Sequence, residues 1–352
     1  MDALVKFEAG TEEAAAVPGR ASIEAVWNRQ RGIEIAFVNN MPDAAVKATF
    51  DQFKGIIEVA AADRFPFHLR CYTLPGIPRG EEMRSYLQET HEDIGGLYSR
   101  GADALIVTGT EPRAPSLSDE PYWPELARLV KWARCHTFSA IWSCLAAHAA
   151  VQCLDGIFRR PSKEKISGIY SFNTTRDDWA MRGTGPSILV PHSRYNGLPR
   201  EELESAGYTI SSFSDLAGVD AFWRAEPSVF LFLQGHPEYS GDTLSREYRR
   251  DVIRYLNGVR DTYPGEPFCY FSAPASARLE TIKAKAVAKH PCNLESLLNE
   301  ILSNETFEKK WSPSAIALYR NWLSLIFEQV SARQQERPSL GNDQFDRVSS
   351  GL

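Results

Sequence analysis

Residues 138–156 read FSAIWSCLAAHAAVQCLDG. Phe138 to Trp142 is a short apolar run, too brief to be a helix of its own, and an alanine-rich stretch with helical character follows at once and stops on Gly156. A buried strand that passes directly into a helix is the joint from which α/β proteins are built. Cys144 stands on that joint.

The same rhythm extends outward from it. Upstream, IEIAFV (33–38) runs into Asn39, HLRCYTL (68–74) alternates, and ADALIVTG (102–109) carries Leu105, Ile106 and Val107 straight into a turn at Thr108-Gly109. Helical spacing separates these strands over Ala44 to Ala61, Arg79 to Gly101 and Tyr122 to His136. Downstream, VFLFL (229–233) is a further strand that breaks at Gly235. Strands alternating with helices predict a mostly parallel sheet covered by helices on both faces, with right-handed crossovers.

The rhythm is lost between Cys144 and Val229. Short segments near Ile166 to Phe172, Ser187 to Val190, Tyr208 to Ser212 and Val219 to Trp223 predict antiparallel or edge strands. Thr243 to Leu256 reads as a helix bearing Arg246, Glu247, Arg249, Arg250 and Asp251, and helices follow over Leu294 to Leu302 and Pro313 to Val330. The expected organisation is a lead-in (1–31), one catalytic α/β domain (32–272), a C-terminal helical extension (273–330) and a polar tail (331–352) that should be disordered. No internal repeat is present.

Composition narrows the function. The 352 residues are 43% hydrophobic and 24% charged, as in globular proteins, and 45 acidic against 39 basic side chains leave a net charge of −6. No global positive field exists to hold nucleic acid or an anionic membrane. The N-terminal stretch is acidic where a signal peptide would be basic, and no run approaches the ~20 apolar residues of a membrane span. Six cysteines without C-x-x-C pairing argue against a disulfide scaffold or a zinc ribbon and for a reducing cytoplasm. His68, His91, His136, His192 and His290 lack ligand spacing, so no metal site is expected.

A thiol at a strand–helix joint lies at a helix N-terminus, where the partial positive charge favours the thiolate and free N–H groups can hold an oxyanion. A buried structural cysteine fits the same position equally well. The balance tips at GHPEY (235–239), which places His236 and Glu238 directly after a strand end: Cys144, His236 and Glu238 supply a nucleophile, its base and the group that orients the base. His148, four residues after Cys144 on the same helix, competes as base, but its helix should bury it against the sheet. Cys71, Cys135 and Cys153 sit in apolar periodic segments and read as packing residues.

Several separated segments together resemble the homoserine O-succinyltransferases and their acetyl-using relatives: VNNMPDAAVKATFDQF, IVTGTEP, EPYWPELARLVKWA, IWSCLAAHAA, EKISGIY, PHSRY and QGHPEYSGDTLSREYRRD, spanning about Ile33 to Phe271. The resemblance implies a class I glutamine amidotransferase-like, flavodoxin-like fold used for acyl transfer from acyl-CoA to the hydroxyl of L-homoserine, in methionine biosynthesis. It implies an acyl-thioester on Cys144, His236 as base, Glu238 as its partner, and substrate-binding roles for Lys165, Ser193 and Arg250. Leu145 and Thr110 become oxyanion-hole candidates, and the loop Glu111 to Pro121 a cover that excludes water. Succinyl-CoA or acetyl-CoA would be the co-substrate with no permanent cofactor, and the family implies a homodimer.

The sequence departs from the family pattern in places. Leu145 stands where tryptophan is usual, His148 replaces a usual glutamine, and Asp43-Ala44-Ala45 replaces a lysine-rich stretch. Arg113 falls at the position associated with acyl choice, where neither the glycine of succinyl users nor the glutamate of acetyl users is present; a cation there would favour a succinyl carboxylate. L-Serine, one methylene shorter, is the alternative acceptor. A glutamine amidotransferase would use the same triad, although SCLAA lacks the glycines usual around its cysteine. A non-catalytic binding protein would be expected to have lost one of the three groups.

Overall fold

The computed structural model describes residues 32–175, 178–225, 227–289 and 293–335. The expected lead-in, residues 336–352 of the expected tail, His290 and Cys292 lie outside these.

Five strands form the parallel heart of the main sheet: β1 (Ile33–Val38), β2 (Phe67–Tyr72), β3 (Ala104–Val107), β4 (Ser139–Ser143) and β11 (Val229–Leu233). Their spatial order, β2-β1-β3-β4-β11, is the flavodoxin-like order of doubly wound sheets. Antiparallel β10 (Ala221–Ala225) and β7 (Thr209–Ile210) extend it beyond β11. A second, antiparallel sheet is dominated by the long hairpin of β5 (Arg160–Thr174) and β6 (Ser187–Gly197), joined by β8 (Ser212–Ser214) and β9 (Gly218–Val219).

Successive side chains of a strand point to opposite faces, and the two cores follow that alternation. Ile33, Ile35 and Phe37 join Ile106, Ile141, Leu231 and Leu233 on one face. There they meet Phe53 and Ile57 of α1 (Val46–Ala61) and Tyr319, Trp322 and Ile326 of α10 (Ser312–Gln335). Ala36 and Val38, with Leu105, Val107, Trp142 and Phe232, face the other way. They pack on α3 (Ile94–Arg100), α4 (Trp123–His136) and α5 (Leu145–Asp155). Each fully buried aliphatic or aromatic side chain contributes roughly 1.5–3 kcal/mol, which is why these strands read as unbroken apolar runs.

Three elements differ from the sequence expectation. The single helix read over Arg79 to Gly101 is two, α2 (Glu81–Thr90) and α3, because Glu92 leaves the helix to bridge Tyr72 beside β2 and Asp93 caps α3 by accepting from the Gly95 N–H at 2.7 Å. A helix that periodicity did not suggest, α8 (Ala273–Val287), follows Ser272, whose hydroxyl caps it. It buries Ala275, Leu279, Ile282 and Ala286 against α7 (Thr243–Leu256) and α9 (Leu294–Ser303). Finally, α10 continues past Val330 to Gln335, into the stretch expected to be tail. Among the described residues the remaining α-helix is α6 (Arg200–Ser205). Among the described residues, no helix is long and apolar enough to cross a membrane.

Candidate active site

The parallel register builds the site. Ser143, the last residue of β4, is opposite Leu233, the last of β11, and the Cys144 N–H donates to the Leu233 carbonyl at 2.7 Å. Cys144 therefore leaves the sheet beside the strand that delivers Gln234-Gly235-His236. Its backbone is forced to φ 52° and ψ −114° as the strand turns into α5. A non-glycine residue in this region costs about 1–3 kcal/mol, and such strain concentrates at functional positions. The thiol remains partly exposed.

His236 is held from both ends. Its backbone N–H donates to the Pro191 carbonyl of β6 at 2.8 Å, and its Nδ1 lies 2.8 Å from Glu238 Oε1. The ring stacks on Tyr239 with centroids 4.2 Å apart. Burial alone would keep the imidazole neutral, but the Cys144 sulfur and the Glu238 carboxylate outweigh it and hold the pKa well above 6.5. Glu238 is 4% exposed, so its charge acts with little screening. The residue before the histidine must be glycine: a Cβ on Gly235 would lie 2.5 Å from Val190 Cγ1 and 2.7 Å from both Asp220 Oδ1 and His192 Nε2.

His148 lies in a different environment. Its Nε2 is 2.8 Å from Gln234 Oε1, it is 3% exposed, and burial drives its pKa down to about 3. A ring that stays neutral and is tied to Gln234 is a packing group, as its helix position suggested.

The oxyanion candidates meet at one point. A Cβ on Gly109 would approach Leu145 Cβ to 2.7 Å and the Leu145 nitrogen to 3.0 Å, so the Thr108–Thr110 loop lies directly against the first N–H of α5. That N–H has no intrahelical partner. Asn40 fixes the loop, its N–H donating to Thr108 Oγ1 at 2.8 Å and its side chain to the Thr108 carbonyl at 3.2 Å.

Lys165, Ser193 and Arg250 are brought together around α7. Lys165 Nζ lies 3.0 Å from Asp251 Oδ2 and 4.0 Å from Glu247 Oε2, and the Arg250 guanidinium reaches Asp251 Oδ1 at 2.9 Å. The Ser193 hydroxyl donates to Glu247, which also accepts from the Tyr239 hydroxyl at 2.8 Å. Burial would push the Asp251 carboxyl up, but Lys165 and Arg250 hold it below the usual carboxylate range. Glu247 and Asp251 were not singled out from the sequence. The signal was present, since 247, 250, 251 and 254 fall on one helical face.

Arg113 is exposed and lines a cavity of about 490 Å³ together with Thr110, Arg79 and Tyr122. Its backbone N–H and that of Ala114 donate to Glu120, which curls the Glu111–Pro121 loop over the strand ends. Arg254 of α7 reaches Glu111 at 3.5 Å, tying that loop to the cluster around Asp251. Cys71, by contrast, is remote packing, its thiol pushed up to about 12 by burial.

Strand order and site define the class: an α/β protein with a flavodoxin-like doubly wound sheet, carrying thiol, imidazole and carboxylate at the C-terminal edge of its parallel strands. A glutamine amidotransferase from Methylobacillus Flagellatus overlays with a TM-score of 0.47 at 15% identity, covering 84% of this chain and 95% of that one. Much greater similarity is found with the homoserine O-succinyltransferase of Methylorubrum extorquens, 41% identical over 327 residues, which are 93% of this chain and 96% of that protein. That of Bradyrhizobium japonicum is 43% identical over 294 residues, 84% of this chain and 90% of the relative. The family model for homoserine O-succinyltransferase matches residues 12–333, and the chain belongs to that family.

Proposed function

We propose that the protein transfers the succinyl group of succinyl-CoA to the hydroxyl of L-homoserine through a thioester on Cys144. The observation that carries the reading is the pairing of β4 with β11, which sets the thiol beside an imidazole held at 2.8 Å by a buried carboxylate. His236 takes the thiol proton as the Cys144 sulfur attacks the thioester carbonyl, the bond from carbonyl carbon to CoA sulfur breaks, and CoA leaves with that proton from His236. The developing oxyanion is met by the Leu145 N–H and the Thr108–Thr110 loop. The acceptor hydroxyl then gives its proton to His236 as its oxygen attacks the acyl-enzyme, and the Cys144 C–S bond breaks.

Lys165 and Arg250 provide cations for the α-carboxylate of the acceptor, and Glu247 an anion for its ammonium group. Arg113 presents an exposed cation on the acyl side. The Glu111–Pro121 loop keeps water from the acyl-enzyme, whose hydrolysis competes with transfer.

Intact-mass spectrometry of the protein incubated with succinyl-CoA or acetyl-CoA, without acceptor, tests the reading. A single acyl adduct on Cys144, absent from Cys144→Ala and discharged by L-homoserine faster than by L-serine, is the expected result. No adduct from either donor, or glutaminase activity without CoA-dependent transfer, would refute it.

A further inference from the structure

Tyr239 joins the triad to the cluster around α7. Its backbone N–H donates to the His236 carbonyl at 3.1 Å, closing a four-residue turn with Pro237 at the position where proline is favoured. The turn sends two side chains back to the imidazole from which it starts. Glu238 meets the ring at its edge, on Nδ1, and Tyr239 covers its face, with centroids 4.2 Å apart and planes 14° from parallel. The phenol is buried and packs in one cluster with Ile169, Leu244, Trp311 and Ala315, so the face it offers is fixed in place.

The far end of the same side chain lies in the acceptor cluster. Its hydroxyl donates to Glu247 Oε1 at 2.8 Å, while the Ser193 hydroxyl donates to Glu247 Oε2. Lys165 Nζ stands 4.0 Å from that second oxygen. Each oxygen of Glu247 thus has a hydroxyl donor of its own, and a carboxylate held at both oxygens presents its charge in one place. The Tyr239 hydroxyl is no acid or base for the reaction, because burial, and after it the charges of Glu247 and Glu238, push its pKa well above 10.

The two contacts serve different steps. His236 becomes an imidazolium each time it takes a proton, first from the thiol and later from the acceptor. A cation within about 6 Å of a ring centroid is attracted to the ring face, and a phenylalanine would offer the same face. Glu247 comes into play only when the acyl-enzyme meets its acceptor, and the ring alone does not reach it.

We propose that Tyr239 is a positioning residue for both half-reactions: its ring holds and stabilises the His236 imidazolium, and its hydroxyl fixes Glu247 where the ammonium group of the acceptor binds. Resting on the acyl-transfer reading above, this gives one residue two separable roles. Tyr239 acts through His236 and Glu247 and takes no part in the bond changes at Cys144.

The test separates the half-reactions in the full-length protein. Single-turnover acylation by succinyl-CoA without acceptor reads the first, and discharge of the acyl-enzyme by L-homoserine reads the second. Tyr239→Leu should slow acylation about 10- to 100-fold, through loss of the ring face and of the imidazole's orientation. Tyr239→Phe should acylate within about twofold of wild type, yet lose about 10-fold in discharge efficiency, the low end for a hydrogen bond to a charged group. That loss should appear as a higher L-homoserine requirement with little change in the saturating rate. In a Glu247→Ala background Tyr239→Phe should cost less than about twofold further, because the hydroxyl then has no carboxylate to fix. Tyr239→Met serves if Tyr239→Leu does not fold.

Equal losses in both steps for Tyr239→Phe would overturn the proposal, because the hydroxyl would then be supporting the fold. So would acylation at the wild-type rate without the ring, or an undiminished effect of Tyr239→Phe in the absence of Glu247. A wild type that succinyl-CoA does not acylate would instead remove the acyl-transfer reading, and this role of Tyr239 with it.

Discussion

Replacing Gly235 by alanine should disable the site through sterics alone. The added Cβ would lie 2.5 Å from Val190 Cγ1 and 2.7 Å from Asp220 Oδ1 and His192 Nε2, against about 3.5–4.0 Å for comfortable carbon contacts. The deficit toward Val190 is thus about 1 Å. None of the three neighbours can retreat: Val190, Asp220 and His192 are 4%, 3% and 0% exposed. The backbone is pinned as well, since the Gly235 N–H donates to Asp220 Oδ1 at 2.8 Å and the Gln234 N–H to the Asp220 carbonyl at 3.1 Å. The strain must appear as a shift of the Gln234–His236 segment, with an overpacking cost of about 1–3 kcal/mol. A shift of even part of 1 Å in His236 is expected to slow acylation of Cys144 by about 100-fold. Urea unfolding with an unchanged m-value measures the first quantity, and rapid-quench acylation by succinyl-CoA the second. A variant within 0.5 kcal/mol of wild type by the criterion for neutral surface changes, and acylating at the wild-type rate, would show that the steric reasoning is wrong.

Two further tests concern the scaffold. His148 and His192 are held near pKa 3 and 4 by burial, below the ~6.5 of an unfolded chain, so as pH falls from 6.5 the unfolded state binds protons first and stability drops by up to about 1.4 kcal/mol per pH unit for each ring. His236, with a raised pKa, contributes stability that is complete below 6.5 and lost only as pH rises through its folded pKa, so it does not offset this acid loss. Urea midpoints that are flat between pH 6.5 and 5 would contradict the assignment. Trp322→Ala should cost about 3–5 kcal/mol, because the indole is fully buried and its Nε1 donates to Ser139 Oγ at 2.9 Å. A loss below about 1 kcal/mol on the same urea titration would show that α10 is dispensable to the sheet.

The sequence showed the parallel heart clearly because strands buried on both faces must be apolar throughout: ALIV of β3 and VFLFL of β11 allow no other reading. It showed Cys144 and His236 for the related reason that strand ends are marked by abrupt changes in polarity. The hairpin of β5 and β6 was underestimated in length, because its exposed arms, from Arg160 to Glu164 and from Tyr195 to Gly197, carry no apolar alternation. α8 escaped notice because alanines make up much of its sequence, and its apolar stripe is faint without Leu279 and Ile282. The pairing of Asp251 with Lys165 and Arg250 was hidden for a different reason. A charged residue in a sequence looks alike whether it is solvated, paired or stranded, and only the fold distinguishes the three.

The contact between Trp322 and Ser139 also has a consequence for synthesis of the chain. β4, which runs directly into Cys144, is among the inner strands of the sheet, yet part of its packing surface is supplied by a helix that begins at Ser312. Asn321 clasps the Ala180 and Arg182 carbonyls from the same helix, so the middle of the chain awaits it too. A nascent polypeptide on the ribosome therefore exposes one face of its central strands until the last helix emerges, and the thiol is not presented in finished geometry before then. A chain terminated before Ser312 should therefore be a client for chaperones rather than a folded protein.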